Sequence, residues 1–148
     1  MADVQNEMNP LSGTEYNIIG AGVFNKLAEY TDPEIKGFDY QGLDGDGRIG
    51  FMTIPGGKYL SRDVCGGYTA QLPFQIMYQA KATSNKELLK SEKTLTDVAV
   101  YLEAKPFPEL DGGRQITKIS CDGIPYRAQA DNSASVIFVQ TGSVVYEK

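Results

Sequence analysis

Gly66-Gly67-Tyr68-Thr69-Ala70-Gln71-Leu72-Pro73-Phe74-Gln75-Ile76-Met77-Tyr78-Gln79-Ala80-Lys81-Ala82 is the longest β-patterned stretch of the chain. Leu72, Phe74, Ile76 and Tyr78 alternate with Gln71, Pro73, Gln75 and Met77. That period of two belongs to an antiparallel strand with one face in a core and the other turned away from it. Pro73 has no backbone N–H to donate, so strand pairing is expected to break beside it. On the amino-terminal side, short strands are expected near 37–41, 48–54 and 58–62. Asp44-Gly45-Asp46-Gly47 and Pro55-Gly56-Gly57 supply the turns between them. On the carboxyl-terminal side, strands are expected near 114–121, 124–129 and 134–145, with turns at Asp122-Gly123 and Asp131-Asn132.

Two helices interrupt this β pattern. Ser12 precedes Glu15 by the spacing of a capping box, and Tyr16, Ile19, Val23, Leu27 and Tyr30 then recur at steps of three and four. A helix over about 14–30 follows, weakened by Gly20 and Gly22 and ended by Asp32-Pro33. Ser84 and Glu87 repeat the capping spacing. Leu88, Leu89, Leu95, Val98 and Leu102 are then expected as a buried stripe, with Lys86, Lys90 and Lys93 on the wet side and Pro106 and Pro108 beyond the end. Each helix has one apolar side. A single, mostly antiparallel sheet with two amphipathic helices packed on one face buries those sides most simply, which is an α+β domain. The expected division is a flexible arm over 1–12 and one domain over 13–148.

Composition removes several function classes. The 148 residues are 41% hydrophobic and 22% charged, with no apolar run of the 18 to 20 residues a membrane helix needs, so no membrane role is expected. Met1–Glu7 has neither a basic start nor an apolar stretch, unlike a secretory signal. There is no histidine, which excludes His-based triads and His-ligated metals in this chain. Cys65 and Cys121 are expected as buried thiols in a reducing compartment rather than as a disulfide. A net charge of −5 disfavours tight nucleic-acid binding, which needs cations to displace counterions.

The charge is uneven. Residues 1–46 hold nine acids against two bases, net −7, and the remaining 102 residues are net +2. A solvated acidic end accounts for this, and so does an acidic surface shown to a partner or a lumen.

Motifs for small ligands fail on inspection. Asp44-Gly45-Asp46-Gly47-Arg48-Ile49 matches the middle of an EF-hand loop, but Gly42 then occupies the first ligand position and Thr53 the twelfth. Pro55-Gly56-Gly57-Lys58 lacks the phosphate-loop spacing. Gly20-Ala21-Gly22 lies inside a helix with no strand before it. Acidic residues fall in turns and on polar helix faces, and none sits in an apolar run that would raise its pKa. No catalytic, cofactor or metal-binding residue is assigned.

A longer pattern is more specific. The Gly66–Tyr78 strand precedes a helix ending in Tyr101-Leu102-Glu103, then the Pro106-Phe107-Pro108-Glu109-Leu110 link, a strand from Ile116, and the closing run Ser135-Val136-Ile137-Phe138-Val139-Gln140. Over about residues 14–142 this resembles the tail terminator (tail completion) proteins of long-tailed bacteriophages, also called minor capsid proteins in phages of Gram-positive hosts. The chain departs from that pattern by continuing through Gly142–Tyr146, and its Asp39–Gly47 segment is unusually acidic.

The resemblance implies a structural, non-enzymatic virion protein without cofactors, assembled in the host cytoplasm and placed at the tail–neck junction. It implies a homo-oligomeric ring, usually a hexamer, that caps the tail tube, stops its polymerisation and joins it to the head connector. Its partners are then itself, the major tail tube protein and a neck protein, and DNA passes without specific binding. Asp39, Asp44 and Asp46 are the candidates for a lumen-facing acidic loop, with solvated turn residues as the plainer account. Arg48, Lys58, Tyr59, Arg62, Val144 and Tyr146 are the candidates for contacts between subunits or with the tube. Other readings are a head-completion or connector protein, a small hydrolase with two facing carboxylates, and a calcium-binding module.

Overall fold

The computed structural model describes residues 11–81, 84–128 and 135–148. Helix α1 spans Gly13–Ala28. It is followed by β1 (Gly37–Tyr40), β2 (Arg48–Thr53), β3 (Lys58–Arg62) and β4 (Tyr68–Lys81). Then come α2 (Asn85–Glu103), a short 3-10 turn at Asp111–Gly113, β5 (Gln115–Cys121), β6 (Tyr126–Ala128) and β7 (Ser135–Glu147). All seven strands form one sheet, with helices α1 and α2 against it, which is the expected α+β architecture.

The two long strands β4 and β7 are its spine, antiparallel from Thr69↔Glu147 to Lys81↔Ser135. On its other side β4 carries β2 along Phe74–Gln79 and β3 along Tyr68–Gln71. The gap between β2 and β3 falls opposite Pro73, where a missing donor costs no ladder bond on that side. Ile54 N–H closes the gap instead, donating to Pro73 O at 3.0 Å. The run past Gly142 lengthens β7 and makes no further hairpin.

One pairing differs in direction from its neighbours. Strands β1 and β2 run parallel, in register Gly37↔Arg48 through Tyr40↔Phe51, so the acidic segment between them is not a simple hairpin turn. Gln41, at φ 58°, turns the chain, and Gly42 bridges Phe51 antiparallel before the chain loops back into β2.

Burial follows the two periodicities. Ala70, Leu72, Phe74, Ile76 and Tyr78 of β4 meet Val136, Phe138, Val144 and Tyr146 of β7 on the helix-covered face. Ile19, Val23 and Leu27 of α1 and Leu95, Val98, Ala99 and Leu102 of α2 fill that core from above. Both serine caps form: Ser12 Oγ accepts Glu15 N–H and Ser84 Oγ accepts Glu87 N–H. The α1 glycines are sites of close approach. A Cβ on Gly20 would lie 2.8 Å from the Tyr40 hydroxyl, and one on Gly22 would strike the Leu110 side chain.

Three expectations give way, and two more lie wholly or partly outside the described residues. Leu89 is exposed, because a position six residues from Leu95 lies about 120° around the helix, whereas Leu88 at seven residues returns to the stripe. Cys65 is exposed rather than buried, and both thiols are free. The arm expected over 1–12 lies outside the described residues as far as residue 10; Leu11 is buried and Ser12 caps α1. Glu15 is buried at 4% exposure, an acid in an apolar setting that its place near a helix start did not announce. The turn expected at Asp131-Asn132 lies outside the described residues.

Candidate functional site

The acidic segment is organised by its own hydrogen bonds. Asp39 of β1 takes a bidentate grip from Arg48 of β2, with Nη2 to Oδ1 at 2.7 Å and Nε to Oδ2 at 2.9 Å. Parallel pairing sets these two residues on neighbouring strands of the same face. Asp39 Oδ2 also accepts Asp44 N–H at 3.0 Å. The Arg48 contacts hold the Asp39 carboxyl below its ordinary pKa, against a smaller opposing push from burial. Asp46 Oδ1 accepts Gln79 Nε2 and Ser135 Oγ, each at 2.9 Å, which ties the loop to β4 and β7 and lowers that carboxyl too. Asp44 alone is exposed; its carboxylate makes no hydrogen bond or ion pair among the described residues, and its charge acts on Arg48 only at longer range.

The three aspartates therefore have separate duties: Asp39 and Asp46 brace the loop, and Asp44 is its free charge. They do not converge as ligands would. Among the described residues no group of three or more Cys, Asp and Glu side chains is placed to hold a metal ion.

The candidate contact residues also divide. Arg48 is occupied by Asp39. Lys58 is exposed on the free edge of β3, and Tyr59 is half-buried, edge-on to Tyr68 with centroids 5.1 Å apart. The Arg62 guanidinium lies over the Tyr59 ring at 4.2 Å and faces Tyr68 at 5.8 Å. Val144 and Tyr146 have no exposed surface, so the expectation that they touch a partner is corrected: both point to the core face of β7.

Tyr146 belongs to a buried polar cluster that sequence reasoning missed. Glu15 receives Arg114 Nη2 on Oε2 at 2.5 Å and Arg114 Nε on Oε1 at 3.0 Å. The Tyr146 and Tyr68 hydroxyls donate to Oε1 at 2.7 and 3.1 Å. Burial pushes the Glu15 pKa up, but the contacts from Arg114, Tyr146 and Tyr68 outweigh it, and the carboxyl lies below its ordinary range. An acid held ionised and fully engaged is a poor proton donor. The arrangement ties the start of α1 to β4, to β7 and to the residue that leads into β5.

A second missed group is Lys26 of α1, 7% exposed, whose ammonium donates to Ala104 O and to Pro106 O, the latter at 3.1 Å. It lies 5.0 Å from the Phe107 ring centre and 5.3 Å from that of Tyr101. Burial lowers its pKa. The sequence did carry a signal, since Lys26 falls on the apolar stripe beside Val23 and Leu27. An open cleft of about 400 Å³ adjoins it, lined by Asn25, Glu29, Tyr101 and Lys105–Pro108.

The β3–β4 hairpin is exposed throughout from Leu60 to Gly66. Its tip, Asp63–Gly67, extends past Tyr68, whose N–H and C=O both pair with Lys148. Asp63 Oδ1 accepts Cys65 N–H at 3.0 Å and Gly67 N–H at 2.8 Å, and Asp63 N–H donates to Gly67 O. Val64 stands at the apex, fully exposed.

No helix among the described residues is long and apolar enough to cross a membrane. No protein-family model matches the chain, and no curated protein matches it. Among solved structures, the fold is shared with a chain of the "Virion of native gene transfer agent (GTA) particle". The TM-score is 0.61 at 12% identity, over 93% of this chain and 100% of that one. The two chains thus have the same architecture along nearly their whole lengths.

Proposed function

We propose that this chain is a structural virion protein of the tail terminator type, a non-catalytic ring component that caps the tail tube and joins it to the neck. The observation carrying the proposal is the end-to-end fold likeness to a chain of a virion particle. The Gly66–Tyr78 strand and the Tyr101–Leu110 helix-and-link pattern agree with it. The geometry supports a binding role in a simple way: the clustered polar side chains are occupied with bracing the fold, while exposed apolar side chains lie on the β3–β4 tip, on strand edges and on the outer face of α2. A ring of identical chains needs two different complementary surfaces per subunit. Free edges such as β3 and projecting loops are suited to that.

The test is co-sedimentation of the purified protein with tail tubes of its phage, paired with light scattering across concentration. Binding at tube ends only, at six chains per end, is the expected result. Binding to neck or connector particles without tube binding would replace the proposal with a head-completion role. Binding to neither would overturn it.

A further inference from the structure

We infer that the β3–β4 hairpin tip is a rigid knob that docks into the Pro106-Phe107-Pro108 cleft of a second copy of this chain. The inference rests on the ring reading above and says which surfaces close it.

The knob is prepared for binding. Asp63 folds the tip around its carboxylate, and Arg62 is stacked on Tyr59, so little ordering remains to be done on contact. Val64 at the apex is fully exposed, with no packing partner among the described residues. A preorganised loop that displays a valine to water contributes nothing to its own fold; it gains when an apolar surface covers it.

The cleft supplies that surface. Phe107, Pro106, Pro108 and Tyr101 give it an apolar wall, and its volume of about 400 Å³ has room for a valine side chain. Charge decides the occupant. Arg62 beside the knob and Glu29 on the rim of the cleft have no ionic partner among the described residues, and neither does Lys105, opposite in sign to Asp63. The knob carries Asp63 and Arg62, and the cleft carries Lys26 and Lys105 against Glu29, so each charge on the knob has an opposite available in the cleft of a second copy.

A copy cannot dock its own knob. The hairpin base touches Glu15 near the start of α1, whereas the cleft adjoins Lys26 and Glu29 near its end, about 20 Å along the helix. The contact therefore runs from one subunit to the next, head to tail, as ring closure requires.

The exposed Cys65 at the tip is a natural probe, and Asn25 is an exposed residue of the cleft. In the Asn25→Cys variant, mild oxidation of the assembled protein should give a ladder of disulfide-linked oligomers. The ladder should disappear when Cys65→Ser is added. Wild-type protein should not link through Cys65 alone. Val64→Asp, at a fully exposed site, should leave the monomer's melting temperature unchanged and weaken self-association at least about tenfold. An oligomer that forms but gives no ladder would overturn this inference and leave the ring standing. Wild-type dimers linked through Cys65 would overturn it in favour of a two-fold contact. A protein that stays monomeric and unlinked at millimolar concentration and on tail tubes would overturn the inference and the ring together.

Discussion

Glu15 and Arg114, 99 positions apart in the chain, meet in a bidentate ion pair with both side chains less than a tenth exposed. Two tyrosine hydroxyls complete the site from β4 and β7. Buried pairs of this kind give little over an apolar filling, yet are costly to break on one side, because an unpaired charge is left without water. Arg114→Leu should therefore destabilise the fold by about 3–5 kcal/mol, read from urea unfolding at neutral pH. A loss below 1 kcal/mol would mean that water reaches the Glu15 carboxylate.

The same cluster sets an acid limit. The Glu15 pKa is lowered on balance: burial raises it, but the contacts of Arg114, Tyr146 and Tyr68 lower it further. Arg48 lowers that of Asp39, against a smaller effect of burial. In the unfolded chain these groups titrate at about 4.3 and about 3.9. A depressed folded-state pKa contributes stability that is present in full above the unfolded value and is lost as pH falls through the folded one. The urea midpoint should thus be level from about pH 7 to 5 and fall steeply below about pH 4. Glu15→Gln should lower stability at pH 7 and make the acid fall shallower. An equally steep fall in that variant would assign the acid limit to other carboxylates.

Gly50 of β2 is required by the loop that folds over it. A Cβ there would collide with Gly42 O and lie 3.1 Å from both Leu43 Cβ and Met77 Cε. The carbonyl is backbone and cannot step aside. Gly50→Ala should cost about 1–3 kcal/mol, while Gly42→Ala, with open space around it, should stay within about 0.5 kcal/mol of wild type. Equal stabilities would show that the loop returning into β2 is loosely held.

What could be read in the sequence was what is local. The alternation through Leu72–Tyr78 is a property of adjacent residues, and so are the Ser12 and Ser84 caps. Pro73 also declared its position, since a residue without a donor fits only where pairing lapses. Strand partnership is different: nothing within residues 37–53 specifies that β1 and β2 run parallel, because the loop's path depends on the Asp46 contacts to Gln79 and Ser135. Tyr146, a candidate for partner contact in the 142–148 segment, has a β-period position that puts it in the core instead. The Glu15–Arg114 pair was out of reach of any spacing rule. Glu15 carried an adequate local explanation as a capping residue, and Arg114 sits in no periodic element.

The two thiols should react very differently. Cys121 is half-buried between β7 and the end of α2, and burial, reinforced by Glu103 and Asp122, pushes its pKa up to about 12. It remains a neutral thiol at pH 8, whereas Cys65 stands in water on the hairpin tip. A disulfide reagent at pH 8 should label one thiol per chain quickly and the second only as the protein unfolds. Loss of the fast phase in Cys65→Ser identifies it. Two fast thiols in the native wild type would mean that β5 frays at its Cys121 end.

Asp44 and Asp39 separate a charge on show from a charge in use. Asp39 accepts two donors from Arg48 and one from the Asp44 backbone, so Asp39→Lys removes an acceptor and sets two cations together. Asp44→Lys removes no hydrogen bond or ion pair among the described residues, and its effect on nearby Arg48 is through solvent-screened charge alone. Asp39→Lys should lower the melting temperature clearly; Asp44→Lys should leave it within the error of wild type. If this loop faces a channel through which DNA passes, Asp44→Lys should still slow genome delivery, since a ring of added cations holds phosphates. Delivery at the wild-type rate by particles carrying the stable Asp44→Lys protein would place the loop away from the channel. A melting temperature lowered as far by Asp44→Lys as by Asp39→Lys would instead show that the Asp44 carboxylate has a bracing role of its own.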